Sequence, residues 1–244
     1  MPRRTGETVH VDGELQASVA ARVPGAAALG LVPPPGTPWL PATLLADSSW
    51  TAGQLERRAG TTGTDDPRVL ATVWWYSASA VLLTPSLAGL VTGVPLSGRL
   101  GDTSLSALPG GLLVAAVSSA PGIDLAGELR GALAAVIGAV AEAGRMRERP
   151  LWAIATDSLA NRLLAVGRAV ADVARASALA GPLAAAIGAP LPAPRYVDVA
   201  GARFTRRASC CLLYRVPHEP LCTSCPRRPP AERQILLEDT AARM

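Results

Sequence analysis

The four cysteines of the 244-residue chain are Cys210, Cys211, Cys222 and Cys225, in the pattern Cys-Cys-x10-Cys-x2-Cys. Thiols gathered this tightly, with none elsewhere, point to one site for a soft, thiolate-binding metal or cluster. Cys222-x2-Cys225 is a chelating turn, whose two intervening residues let both sulfurs reach one metal. Zinc and iron both use such a turn. Structural zinc normally takes two chelating pairs with two to four residues between ligands, whereas the first pair here is adjacent. Neighbouring side chains on a strand face opposite ways, so Cys210 and Cys211 reach one site only through a bulge or turn. Neither common ferredoxin spacing fits the pattern.

Charge concentrates around the same stretch. The net charge is +4 and every basic residue is arginine. Arg195, Arg203, Arg206, Arg207, Arg215, Arg227, Arg228 and Arg233 crowd the tail, where a basic surface would attract anions or an acidic partner. Nucleic acid is not expected as a partner, because aromatic residues are few and no helix-turn-helix or zinc-finger spacing occurs. Tyr214 is read as packing beside the site, His218 as an exposed loop residue and His10 as part of an unstructured end. Asp157, Ser158 and Asn161 make either a polar site or exposed helix surface. The polar start of the chain lacks the apolar stretch of an export signal. A reducing cytoplasmic location is therefore expected, where metal or redox chemistry is a better prior for cysteines than disulfides.

The tail Arg206-Arg207-x2-Cys-Cys-Leu-x-Tyr-Arg-Val-Pro217, followed by Leu221-Cys-x2-Cys-Pro226, resembles the terminal signature of the FhuF family of ferric-siderophore reductases. Leu151-Trp152 and the stretch from Val73 to Leu96 are similar more loosely, and the first sixty residues show no likeness. Val216-Pro-His-Glu-Pro220 departs from the more usual glycine-rich turn. The resemblance implies a [2Fe-2S] cluster held by Cys210, Cys211, Cys222 and Cys225, with no catalytic residue beyond the cluster. Four thiolates are a complete ligand set for such a cluster. It implies as partners a ferric siderophore and an electron donor such as a ferredoxin or flavoprotein. One electron would convert ferric iron, gripped by hard oxygen donors, into ferrous iron that those donors hold weakly. Arg206, Arg207 and Arg215 are the candidate contacts to chelate or donor. The competing class is a non-enzymatic module, either a zinc-stabilised binding protein or a cluster protein that senses iron or redox state.

The elements that must position this tail read as a mostly helical α+β fold: a helical body over 1–195, poorly defined over 1–64 and expected to face the ferric siderophore, followed by an iron–sulfur-binding segment over 196–244. Helices are expected from Leu15 to Ala28 and from Leu44 to Arg58, separated by the proline-rich stretch 32–38, with a linker from Gly60 to Pro67. Asp66-Pro67 is a helix start. The uncharged run from Val69 to Gly98 is long enough to raise a membrane span, but its Pro, Gly, Ser and Thr content favours two buried helices meeting near Pro85. Peripheral association with the inner membrane or a siderophore permease stays open. Pro109-Gly110 predicts a hairpin between Thr103–Leu108 and Gly111–Ser118. Asp124 caps a helix reaching about Arg147, and another runs from Leu151 to about Ile187 with a break near Gly181-Pro182. The stripe Trp152, Leu159, Leu163, Val166, Val170 and Val173 is core. A linker over Ala189–Pro194 leads to a hairpin hinged at Gly201, and Pro229-Pro230 opens a last helix.

Overall fold

The computed structural model describes residues 13–244; the readings of His10 and of the polar start of the chain lie outside them. The fold is α+β and mostly helical, as expected, with eight α-helices and two small antiparallel sheets among the described residues.

Helix α3 (Pro67–Thr92) is the centre of the body. Asp66 caps it by accepting from the N–H groups of Arg68 and Val69, and Pro67 opens the first turn. Instead of two helices meeting near Pro85, one helix runs through that proline. The magnitudes explain the difference. A proline inside a helix costs roughly 3 kcal/mol or more, while each large apolar side chain buried returns about 1.5–3 kcal/mol. Leu82, Leu83, Leu87 and Val91 around Pro85 are all buried, so splitting the helix would lose more than the missing backbone bond costs. No described helix is long and apolar enough to cross a membrane.

Helix α5 (Arg149–Ala169) packs along α3. Trp75 Nε1 donates to the Leu151 carbonyl at 2.9 Å, and the Ser79 and Ser158 hydroxyls meet at 2.7 Å between the two helices. Two breaks follow α5: an unforeseen one at Val170–Asp172, and one at Leu179, close to the expected Gly181-Pro182. Ala171 has a positive φ of 56°, and Asp172 caps α6 (Val173–Ala178) through the Arg175 N–H. The chain folds back so closely that a Cβ on Gly167 would stand 2.6 Å from that of Ala176. Pro182 sits near the start of α7 (Ala180–Ile187), just after the second break, where proline removes no helical bond.

The remaining elements cover these two. Helix α1 is Glu14–Ala20, shorter than the expected Leu15–Ala28. A 3-10 turn over Ala42–Ala46 precedes α2 (Ser48–Thr62), so the linker shrinks to residues 63–66. Helix α4 (Leu125–Ala143) is capped by Asp124 as expected and ends before Arg147. The expected hairpin forms from β2 (Thr103–Ala107) and β3 (Leu113–Ser118), with Leu105 opposite Ala116. An unforeseen edge strand, β1 (Trp39–Pro41), sets Leu40 opposite Leu105. Buried Gln16 fastens α1 to this sheet, donating to the Leu31 and Ala116 carbonyls and accepting from the Ser118 N–H. All its polar atoms are answered, as burial requires.

The tail begins with the hairpin of β4 (Tyr196–Val199) and β5 (Ala202–Thr205), turned at Ala200 and Gly201, both with positive φ, as a two-residue hairpin turn demands. It lies against α5, where Tyr196 donates to the Ala160 carbonyl at 3.1 Å and Arg168 donates to the Arg203 carbonyl at 2.7 Å. Helix α8 (Pro230–Ala241) brings Leu237 onto Val199 and Phe204, a small core of its own.

Candidate metal centre

The chain leaves β5 with Arg206 exposed and Arg207 buried. The Arg207 side chain is only 2 % exposed, and it forms an ion pair at 3.5 Å with Asp157, whose side chain is 1 % exposed. Asp157 also accepts from the N–H groups of Ala208 at 2.7 Å and Ser209 at 3.1 Å. One carboxylate on α5 thus staples down the three residues that lead into the cysteines. Burial raises the Asp157 carboxyl above its ordinary value, opposed by those two N–H groups and by Arg207. The sequence left Asp157, Ser158 and Asn161 divided between a polar site and exposed surface. Asp157 and Ser158 are buried and Asn161 is half-buried.

The turn that an adjacent cysteine pair requires lies immediately after it. Leu212 is left-handed, with φ of 59°, and a 3-10 turn over Leu213–Arg215 follows. The Leu212 and Leu213 backbone N–H groups lie on the side of the Cys210 and Cys211 thiols and favour their negative forms. On the other side, the Cys222 carbonyl accepts from the Cys225 N–H at 3.1 Å and from Arg228 Nε at 3.0 Å. Arg228 also donates to the Leu221 carbonyl and pairs with Glu232, so one half-buried guanidinium holds the Cys-x2-Cys turn against α8.

All four thiols are free and arrive as two pairs. Cys210 and Cys225 stand 4.0 Å apart, and Cys211 hydrogen-bonds Cys222. Arg207 Nη1 lies 3.2 Å from the Cys222 sulfur and 3.7 Å from that of Cys211. The Cys211 thiol is pulled down to about 5, by its hydrogen bond with Cys222 and by Arg207. Cys222, the other member of that bond, is pushed up, and burial raises Cys210. Behind Arg207 the Tyr76 ring of α3 presents its face 4.7 Å away. Cys211 and Cys225 are buried, while Cys210 and Cys222 are half-buried, so each pair has one member turned toward solvent.

These residues fit a binuclear iron–sulfur group. Cys210 approaches Cys225, while Cys211 and Cys222 share the Arg207 guanidinium. A lone tetrahedral zinc draws four sulfurs to one point, whereas two pairs suit two irons. In addition, Arg207 Nη2 is buried with no hydrogen-bond partner. An unanswered buried donor costs about 1–3 kcal/mol, more when charged, and an anionic group held between the thiols would supply the acceptor.

Of the other residues singled out in the sequence, Arg215 is exposed and lies 3.8 Å from Asp66, and Arg206 is exposed beside the centre. Arg207, expected among possible surface contacts, is instead an internal cation. His218 is exposed as expected. Tyr214 is half-buried under the Arg227 guanidinium, 5.2 Å from its ring. Tyr76 and Asp157 were legible only as helix residues, because their approach to Arg207 joins α3, α5 and the tail.

The molecule is thus a helical body carrying a cysteine-rich tail whose residues fit an iron–sulfur group. Residues 207–227 match the family model described as the FhuF 2Fe-2S C-terminal domain. The likeness read from the tail therefore stands, and its cofactor is a [2Fe-2S] cluster. No curated protein and no solved structure matches the chain.

Proposed function

We propose that this protein is a ferric-siderophore reductase in which Cys210, Cys211, Cys222 and Cys225 hold the cluster. When bound, a [2Fe-2S] cluster accepts one electron and passes it on. The observation that carries this reading is the buried Arg207, locked to Asp157 and Tyr76 and laid against the Cys211 and Cys222 sulfurs. A structural zinc site held by four thiolates is anionic too, but its charge never changes. A centre that becomes more negative on reduction gains directly, because positive charge and N–H donors at its sulfurs favour the reduced state.

The chain's residues divide the work. The Leu212 and Leu213 N–H groups and Arg207 stabilise negative sulfur; Asp157 fixes the segment to α5 and Arg228 fixes the second cysteine turn. Cys210 and Cys222, at the half-buried side, face the path of electron entry and exit. A ferredoxin or flavoprotein supplies the electron, and a ferric siderophore takes it, releasing ferrous iron to cellular ligands. The tail over 196–244 forms the redox unit and the body over 1–195 its scaffold, in the cytoplasm or peripherally at the inner membrane.

The test is steady-state ferrous release from ferric chelates under a reduced ferredoxin, with a ferrous-specific chromophore as trap. Wild-type protein should sustain release well above the donor alone, and Cys222→Ser should fall to that background. Equal rates for the two proteins contradict the reading.

A further inference from the structure

Beside the cysteine turn lies a cleft of about 210 Å³, walled by the β4–β5 hairpin, the Cys222–Cys225 loop and α8. Arg195, Arg206, Arg207 and Arg233 line it, and no carboxylate does. Arg207 is held by Asp157, but none of the other three forms an ion pair among the described residues. Like charges gathered without counterions repel one another, and the repulsion is relieved by a bound anion. Thr205 lines the cleft at 6 % exposure, and its hydroxyl is buried with no hydrogen-bond partner. Buried hydroxyls are ordinarily answered, and here an oxygen-rich ligand would answer it.

We propose that this cleft is an anion subsite for the ferric chelate, selecting chelates with negatively charged oxygen groups, carboxylate or catecholate, over neutral ones. The proposal rests on the reductase reading and names the substrate class for it. The cleft is too small for a whole siderophore, so it grips one anionic arm. Ser224 and Pro226 of its wall flank Cys225, and Arg207 joins the wall to the Cys222 sulfur. An arm held there brings the ferric ion close to the centre. Arg195 and Arg206 supply exposed charge, and Thr205 supplies a fixed donor.

Binding and reduction separate with gallium(III), which takes the place of ferric iron in such chelates but is not reduced. The cluster-loaded protein is titrated calorimetrically with gallium complexes of a hexadentate tris-catecholate, trianionic, and a hexadentate tris-hydroxamate, neutral. The anionic complex should bind at least tenfold more tightly at low salt, with the preference shrinking as salt rises. Arg195→Ala and Arg206→Ala should each weaken the anionic complex by about tenfold and narrow the preference. Thr205→Val should do so more modestly, and the distant Arg57→Ala should match wild type. An unchanged visible spectrum certifies each variant's centre. Equal affinity for the two complexes, or a preference that survives Arg195→Ala/Arg206→Ala, overturns the subsite. The ferric counterparts, mixed with pre-reduced protein, test the reductase reading apart from it. Gallium selectivity without reoxidation by any ferric chelate keeps the subsite and rejects the reductase; reoxidation without charge preference does the reverse.

Discussion

Replacing Arg207 by methionine should lower the reduction potential of the centre. The guanidinium lies 3.2 Å from the Cys222 sulfur and 3.7 Å from that of Cys211. Extending this by one metal–sulfur bond of about 2.3 Å gives a separation of roughly 6 Å. At an effective dielectric of about 20, one unit charge at that distance shifts the energy of an added electron by about 3 kcal/mol. For a one-electron couple, with about 59 mV for each 1.4 kcal/mol, this is a fall of about 120 mV. The substitution also strands Asp157 as a buried carboxylate without its partner, at a stability cost of about 3–5 kcal/mol. Two further variants control for that. Arg207→Lys keeps the charge and should stay near the wild-type potential, while Arg207→Met/Asp157→Asn removes both charges and should show a smaller fall than Arg207→Met. The assay is an anaerobic redox titration followed by visible absorbance and electron paramagnetic resonance. An Arg207→Met protein with an intact visible spectrum and the wild-type potential would refute the claim that this cation tunes the centre.

Three shorter predictions concern the ligands and the body. Cys222→Ser should abolish the visible spectrum of the purified protein; a spectrum that survives unchanged removes Cys222 from the ligand set. Gly89→Ala should lower stability by about 1–3 kcal/mol in chemical denaturation, because its Cβ would sit 2.5 Å from the Val94 carbonyl oxygen and 3.0 Å from the Leu96 nitrogen; an unchanged midpoint would contradict that packing. Burial alone would raise the Glu128 carboxyl, but the Gly98, Ile123 and Asp124 N–H groups and Arg99 outweigh it and hold it below the ordinary glutamate value. Its contribution is therefore complete above that ordinary value and is lost as the pH falls through the lower folded value. In Glu128→Gln the acid-side loss of stability over that window should be shallower than in wild type, read from denaturation midpoints against pH.

The sequence carried the local features well. Asp66-Pro67 and Asp124 began helices where capping chemistry placed them, Pro109-Gly110 and Gly201 turned hairpins, and the cysteine pattern marked the centre. The features that escaped depend on partners far along the chain. Pro85 lies inside α3 because the burial on either side outweighs a missing backbone bond, a balance invisible in the proline itself. Ala171 breaks a helix that its own type favours, because α6 must fold back over Gly167. Asp157 looked as much like surface as site until the tail came to lie on α5 and turned its carboxylate into an anchor. Arg207, one of many tail arginines, is singled out only by the depth at which Tyr76 and Asp157 enclose it.

Single-turnover electron transfer tests the reductase function most directly. Cluster-loaded protein, reduced stoichiometrically under anaerobic conditions, is mixed in a stopped-flow cell with excess ferric siderophore and a ferrous-specific trap. Recovery of the oxidised visible spectrum, matched by one trapped ferrous ion per cluster, is the predicted result. A reduced centre that no ferric chelate reoxidises, across catecholate, carboxylate and hydroxamate types, would contradict it.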